Sequence, residues 1–181
     1  MKKIGFIGIG LMGLPMAINL LKAGYNLKAF NRTESKAEPL KEFGGIISKS
    51  IEEVVKDNDI VITMLTDDNA VDAVMNSKEF LNNIKKEATV IDMSSVKPTT
   101  AISHGNNLKS KHINYLDAPV SGGTIGAENG SLTFMVGGEV KSYKKMLPLF
   151  EIMGNKSIFC GSPGSGQATK MCNNLLLAIT M

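Results

Sequence analysis

Gly8-Ile9-Gly10-Leu11-Met12-Gly13 decides most of what this chain can become, because it fits G-x-G-x-x-G at the chain's start. The apolar run before it, residues 3–8, reads as a buried parallel strand. Leu14 to Ala23 reads as a helix packed on a sheet, closed by Gly24. In that strand–turn–helix setting the first glycine permits the tight turn. The second lets a pyrophosphate approach the backbone, and the third lets the helix pack close to the strand. The start of the helix then offers unpaired N–H groups and the positive end of its dipole to the phosphates. The motif predicts dinucleotide binding by Gly8, Gly10, Leu11, Met12 and Gly13.

The same region has a rival reading. Met1-Lys2-Lys3 precedes eighteen residues without charge, Ile4 to Leu21, as in a signal peptide or a short membrane span. Gly5, Gly8, Gly10, Gly13 and Pro15 would make a poor membrane helix, and Lys22-Ala23-Gly24-Tyr25 offers no small-x-small cleavage site. Strand, turn and helix is the better division, with no membrane partner.

Composition excludes other classes. A length of 181 residues with 43% apolar and 20% charged residues fits an ordered globular chain. A net charge of +3, scattered lysines, no Trp and 6% aromatics argue against a nucleic-acid partner. Cys160 and Cys172 are too few for a metal site or a disulfide framework and read as free thiols in a reducing, cytoplasmic setting.

Strands are expected at Asn26–Phe30, Ile46–Ile47, Asp59–Met64, Thr89–Met93, Ile113–Asp117, Leu132–Val136 and Ser157–Cys160. Helices are expected from a Thr33 cap to Glu42, from a Ser50 cap to Lys56, from Asp67 onward, from Pro98 to about Leu108, and over Val140–Met153. This alternation predicts an α/β fold: a Rossmann-type doubly wound, mostly parallel sheet with helices on both faces. Residues 1–162 would form the dinucleotide-binding domain. After the turn Gly161-Ser162-Pro163-Gly164, residues 163–181 would begin a long interdomain helix. Leu175-Leu176-Leu177-Ala178-Ile179 has no polar side and no cap signal, so the chain is expected to be truncated there or covered by a partner.

The end of the second strand bears on the coenzyme. An NAD site commonly places Asp or Glu there to bond the ribose hydroxyls, whereas this chain has Asn31-Arg32-Thr33. No carboxylate repels a 2′-phosphate, and Arg32 can pair with one bidentately, so NADP is favoured over NAD. A methyltransferase would also want a carboxylate at that point, and the P-loop pattern is absent.

Ligands of such sheets lie beyond the carboxyl ends of the strands. Met64-Leu65-Thr66 and Ser94-Ser95-Val96 occupy such places; Met64, Leu65 and Ser95 are assigned to the coenzyme crevice. Asp67 reads as a helix cap rather than a catalytic acid. Ser121-Gly122-Gly123 exposes a hydroxyl and successive backbone N–H groups, a nest for a carboxylate. In the last helix Lys170 and Asn174 share a face, beside Asn173 and one turn after Gly166, which leaves room beside the lysine. A lysine in a dry cleft can be drawn toward a neutral pKa and act as a general base. His104 and His112 read as solvated residues outside the chemistry.

With these residues in hand, the chain resembles the β-hydroxyacid dehydrogenases, the group that includes 3-hydroxyisobutyrate dehydrogenase, tartronate semialdehyde reductase and the glyoxylate/succinic semialdehyde reductases. Three blocks carry the resemblance: Phe6 to Met16; Asp117-Ala118-Pro119-Val120-Ser121-Gly122-Gly123 with Gly126-Ala127, Gly130 and Gly137-Gly138; and Gly164 to Asn174. It implies that Lys170 is the general acid/base, that Asn174 orients the reacting oxygen with it, and that Ser121, Gly122 and Gly123 hold a substrate carboxylate. It implies no metal, a small hydroxy acid or semialdehyde as partner, and a homo-oligomer. 6-Phosphogluconate dehydrogenase shares Asn-Arg-Thr but has His at the position of Asn173 and a different serine block, so it ranks lower. The family continues into an all-helical second domain, which this chain lacks; turnover by a chain ending at Met181 is therefore left open. The alternative is a non-catalytic nucleotide-binding interaction module that docks through its apolar C-terminal helix.

Overall fold

The computed structural model describes residues 2–180. Alternation within each strand builds the fold. In β1 (Lys3–Ile7), Ile4 and Phe6 face one side of the sheet and Ile7 faces the other. The same division separates Ile60 and Ile62 from Val61 in β4 (Ile60–Thr63), and Ile91 from Val90 in β5 (Thr89–Asp92). Strands that are apolar on both faces need a layer of helices on each.

One layer is α1 (Gly13–Lys22), α6 (Gly123–Glu128) and α7 (Val140–Met153), which bury Met16, Leu20, Ala127, Leu149 and Phe150 against the sheet. The other is α2 (Ile51–Val55), α3 (Asp68–Met75), α4 (Lys78–Asn83) and α5 (Pro98–Ser110), which bury Val54, Val71, Phe80 and Leu108. With β2 (Asn26–Phe30), β3 (Ile46–Ile47), β6 (Asn114–Asp117), β7 (Val120–Ser121) and β8 (Leu132–Gly138), the sheet runs β3-β2-β1-β4-β5-β6-β8-β7. β3 to β6 are mutually parallel, and β8 is antiparallel to β6 and β7. Phe134 pairs with Val120 on one side and Ser157 on the other, so β9 (Gly154–Gly161) takes the far edge of β8. The direction of winding reverses between β1 and β4, which makes that pair the switch point where such sheets bind ligands. α8 (Ser165–Thr180) then packs over β8, β6 and β9; Met181 lies outside the described residues.

Several local expectations change. The helix expected from Thr33 to Glu42 is a pair of 3-10 turns, Glu34–Lys36 and Glu38–Phe43, and the Thr33 side chain makes no capping bond. Pro39 explains the break: it lacks an N–H, and its ring clashes with the preceding turn of an α-helix. α4 was not anticipated; its signal was Ser77, whose Oγ accepts the Phe80 N–H at 3.1 Å. The glycine-rich stretch after β6 holds β7 and the short α6, whose glycines hid any periodicity. His104 is buried rather than solvated, because α5 turns it onto α3, where its Nε2 lies 2.7 Å from Asp72 Oδ1. His112 is exposed, in a left-handed turn (φ 61°).

The uncharged stretch from Ile4 to Leu21 divides into β1, the glycine turn and α1. Among the described residues no helix is long and apolar enough to cross a membrane.

Candidate functional site

The phosphate turn is shaped by what surrounds its glycines. Gly8 has φ +101°, and a Cβ there would strike the Met64 carbonyl at the end of β4. A Cβ on Gly13 would strike the Gly8 carbonyl, so α1 starts as close to β1 as a backbone allows. Gly10 is different: a Cβ placed on it meets nothing within 4 Å. The protein itself does not need that glycine, and the open space above it fits a phosphate group resting on the turn. Leu11 beside it is 84% exposed, and Met12 is half-buried.

Asn31 ties the turn to the end of β2. Its Oδ1 accepts the Ile9 N–H at 3.0 Å, and its Nδ2 donates to the Thr33 carbonyl at 2.8 Å. Asn31 therefore holds the glycine turn against the end of β2, and Arg32 and Thr33 next to it stand exposed. Across the switch point, Met64 and Leu65 are half-buried, and the Leu65 N–H donates to Ser94 Oγ at 2.9 Å. Ser95 next to it is exposed. Asp67 is the cap of α3, with Oδ1 accepting the Ala70 N–H at 2.9 Å.

The second half of the site is assembled from the far end of the chain. Asp117, at the end of β6, accepts the Gly164 N–H at 2.8 Å and the Gln167 N–H at 3.0 Å, fixing the start of α8. Burial pushes its carboxyl up to about 6, against those two stabilising bonds. Gly166 serves close packing rather than space beside the lysine, since a Cβ there would meet the Met135 and Asp117 carbonyls. Gln167 reaches the β5–α5 loop, accepting the Val96 N–H at 3.1 Å and donating to the Ser94 carbonyl at 2.8 Å. Two turns on, Asn173 Nδ2 donates to Ser121 Oγ at 3.4 Å.

Residues 167, 170 and 173 advance by three along one face of a helix. Lys170 thus stands between Gln167, which is bonded to the β5–α5 loop, and Asn173, which is bonded to Ser121. It is half-buried, and loss of water draws its ammonium below the usual lysine range. Asn174 is exposed one turn beyond it, and Asn173 makes the link to Ser121. Gly122 and Gly123 are exposed with positive φ (136° and 62°), at the start of α6. Leu175, Leu176, Leu177 and Ile179 are exposed on α8, and Cys160 and Cys172 are free thiols.

Sequence reasoning missed two residues of this assembly, Asp117 and Gln167. Asp117 had a signal, a carboxylate closing a strand after Tyr115 and Leu116, whereas Gln167 had none beyond its place one turn before Lys170.

Comparison with known proteins agrees with the fold. Residues 3–161 match the family described as the NAD binding domain of 6-phosphogluconate dehydrogenase. The chain is 42% identical to the NAD-dependent L-serine dehydrogenase of Pseudomonas aeruginosa, over 100% of this chain and 61% of that protein. It is 41% identical to the mitochondrial 3-hydroxyisobutyrate dehydrogenase of Drosophila melanogaster, over 99% of this chain and 55% of that one. A solved structure of Mycobacterium tuberculosis 3-hydroxyisobutyrate dehydrogenase with L-serine superimposes with a TM-score of 0.95 at 37% identity, over 99% of this chain and 61% of its own. The chain thus spans about three-fifths of the length of such relatives. It belongs to the NAD-binding domain family of 6-phosphogluconate dehydrogenase, as a Rossmann-type NAD(P)-binding domain of the 3-hydroxyisobutyrate dehydrogenase kind.

Proposed function

We propose that the complete protein is an NADP-dependent oxidoreductase that interconverts a small 3-hydroxy acid and its semialdehyde. Residues 1–162 serve as its coenzyme domain, and residues 163–181 open the helix that carries the catalytic lysine. The observation that carries this reading is the bracketing of Lys170 between Gln167 on the coenzyme-side loop and Asn173 on Ser121.

The bound coenzyme supplies a hydride acceptor or donor at the nicotinamide ring. Gly8, Gly10, Leu11, Met12 and Gly13 receive its pyrophosphate, Arg32 and Thr33 its 2′-phosphate, and Met64, Leu65 and Ser95 line the crevice toward the ring. Asn31 holds the turn and rim in register. On the other side of Lys170, the Ser121 hydroxyl and the N–H groups of Gly122 and Gly123 hold the substrate carboxylate. Lys170 Nζ takes the hydroxyl proton when the alcohol is oxidised and returns it to the carbonyl oxygen in reduction. Its partial burial lowers the cost of the neutral amine that the oxidation direction needs. Asn174, one turn away, orients the reacting oxygen.

The L-serine dehydrogenase relative is named as NAD-dependent, so the preference for NADP rests on Arg32 and on the missing carboxylate after β2. The substrate class rests on the similarity to 3-hydroxyisobutyrate dehydrogenases. A homo-oligomeric, cytoplasmic protein rests on the family resemblance and the free thiols.

The test is Lys170→Ala in the complete protein. NADPH affinity, read by coenzyme fluorescence, is expected to stay within about twofold, while kcat on a short 3-hydroxy acid falls about 100- to 10,000-fold, the usual share of a general base. Near-normal kcat would remove Lys170 from the chemistry. Were no hydroxy acid turned over but the coenzyme still bound, the exposed Leu175 to Ile179 face would favour a docking module instead.

A further inference from the structure

A seam of polar groups is buried beneath the coenzyme crevice, on the α5 side of the sheet. Thr63 Oγ1 donates to Asp92 Oδ1 at 2.8 Å, and the same oxygen accepts the Ser94 N–H at 3.1 Å. Ser94 Oγ accepts the Leu65 N–H from the neighbouring strand end. The seam would end at the β5–α5 loop if Gln167 did not cross to it from α8. Gln167 is 1% exposed, and its backbone and both ends of its carboxamide are bonded.

We propose that Gln167 is a positioning residue of the coenzyme site, whose carboxamide clamps the Ser94–Val96 loop at the height the nicotinamide half of the coenzyme requires. The proposal rests on the reading of the crevice as a dinucleotide site. A side chain needed only to fill space here could be apolar, since Met or Leu has similar volume and leaves no polar atom to satisfy. A carboxamide instead accepts from one peptide group and donates to the one before it, which fixes the loop's orientation as well as its distance. The loop joins two crevice elements: Ser94 holds Leu65 through its hydroxyl, and Ser95 is exposed beside it. Releasing the clamp frees Val96 N–H and Ser94 C=O together, so the loop must move to find new partners.

The titratable groups packed around the clamp are Asp117 from β6, Asp92 from β5, His104 from α5 and Lys170 on α8. All four are present in the native protein as well, so every affinity is divided by the wild-type value at the same pH. NADP+ is titrated calorimetrically into the complete protein, its Gln167→Met variant and its Gln167→Glu variant between pH 5.5 and 8.5, with thermal melts confirming the fold. Gln167→Met is expected to bind about tenfold more weakly at every pH, the usual loss when a buried donor and acceptor are left unpaired. Gln167→Glu is expected to match that loss at high pH and to recover toward wild type as pH falls. An ionised carboxylate can accept from Val96 but cannot donate to Ser94, whereas the protonated acid can do both. A purely structural role would give a pH-independent offset, which overturns the proposal, as does wild-type affinity in both variants. If Gln167→Met fails to fold, the pH recovery of Gln167→Glu decides alone. Failure of the wild-type protein to bind either NADP+ or NAD+ at any pH overturns the crevice reading itself, a separate result from altered variants beside a binding wild type.

Discussion

The two halves of the site are built by different means. At the phosphate turn the work is done mainly by backbone, through a positive φ at Gly8 and the close start of α1, with one side-chain amide, Asn31, reaching back 22 residues. At the lysine helix it is done by side chains from distant strands. Gln167 spans 73 residues to Ser94, Asp117 spans 50 to Gln167, and Asn173 spans 52 to Ser121. The first half is specified where it stands, while the second exists only when the sheet has folded. Damage to the turn should therefore be steric and local, and damage at the lysine helix should be electrostatic and graded.

The largest effect expected is at Gly8. Gly8→Ala combines a strained φ with a Cβ driven into the Met64 carbonyl, on the strand pair that forms the switch point. We expect a loss of more than about 4 kcal/mol in urea unfolding, or no folded protein. Gly10→Ala, two residues away, meets no protein atom, so its unfolding midpoint should barely move while NADPH affinity falls at least about tenfold. If both variants unfold alike, or if Gly10→Ala binds normally, the turn is a structural corner and the comparison fails.

That contrast also explains what could be read in advance. The glycine turn, β1, the alternation of strands and the Ser50 cap, which accepts the Glu53 N–H at 3.2 Å, are local patterns, and all were legible. Pro39 is a visible breaker, and the segment around it forms 3-10 turns where the pattern from Thr33 suggested one helix. His104 was misplaced because a polar helix end looks solvated until α3 brings Asp72 to it. Lys170 stood out by its setting in the sequence. Gln167 did not, because its partners lie on a loop that only the parallel stacking of β4, β5 and β6 sets beneath α8.

Asp117 sharpens the electrostatic half. Its ordinary carboxyl value is 3.8 and its folded value about 6, so between those limits the folded protein binds more protons than the unfolded chain. Stability from this group is then full below pH 3.8, falls as pH rises toward 6, and stays lower above it. The swing amounts to roughly 3 kcal/mol at 1.36 kcal/mol per unit. Asp92, raised by burial in the same direction, adds to the fall. Asp117→Asn cannot ionise, so its urea midpoints from pH 4 to pH 7 should lose most of this slope. It should also be weaker at low pH, because its amide nitrogen faces one of the two N–H groups that anchor α8. An unchanged slope would mean that other groups set the dependence and that Asp117 is ionised in the folded protein throughout.

The smallest effect returns to the turn's rim and asks whether local specification extends to coenzyme choice. Asn31 is bonded to Ile9 and Thr33, so it holds the rim in place whichever coenzyme binds. Arg32 is exposed, and a 2′-phosphate is the one part of NADPH that NADH lacks. Arg32→Glu should therefore lower the ratio of NADPH to NADH affinity by about tenfold, through loss of a charge-assisted pair and gain of a like charge. Solvent and salt limit the effect at an exposed site, so it should shrink further between 50 and 500 mM salt. Fluorescence titration of both coenzymes reads the ratio directly. If both affinities fall together, Arg32 acts on the shape of the rim, and the distinction between a backbone-built cradle and a side-chain selector disappears.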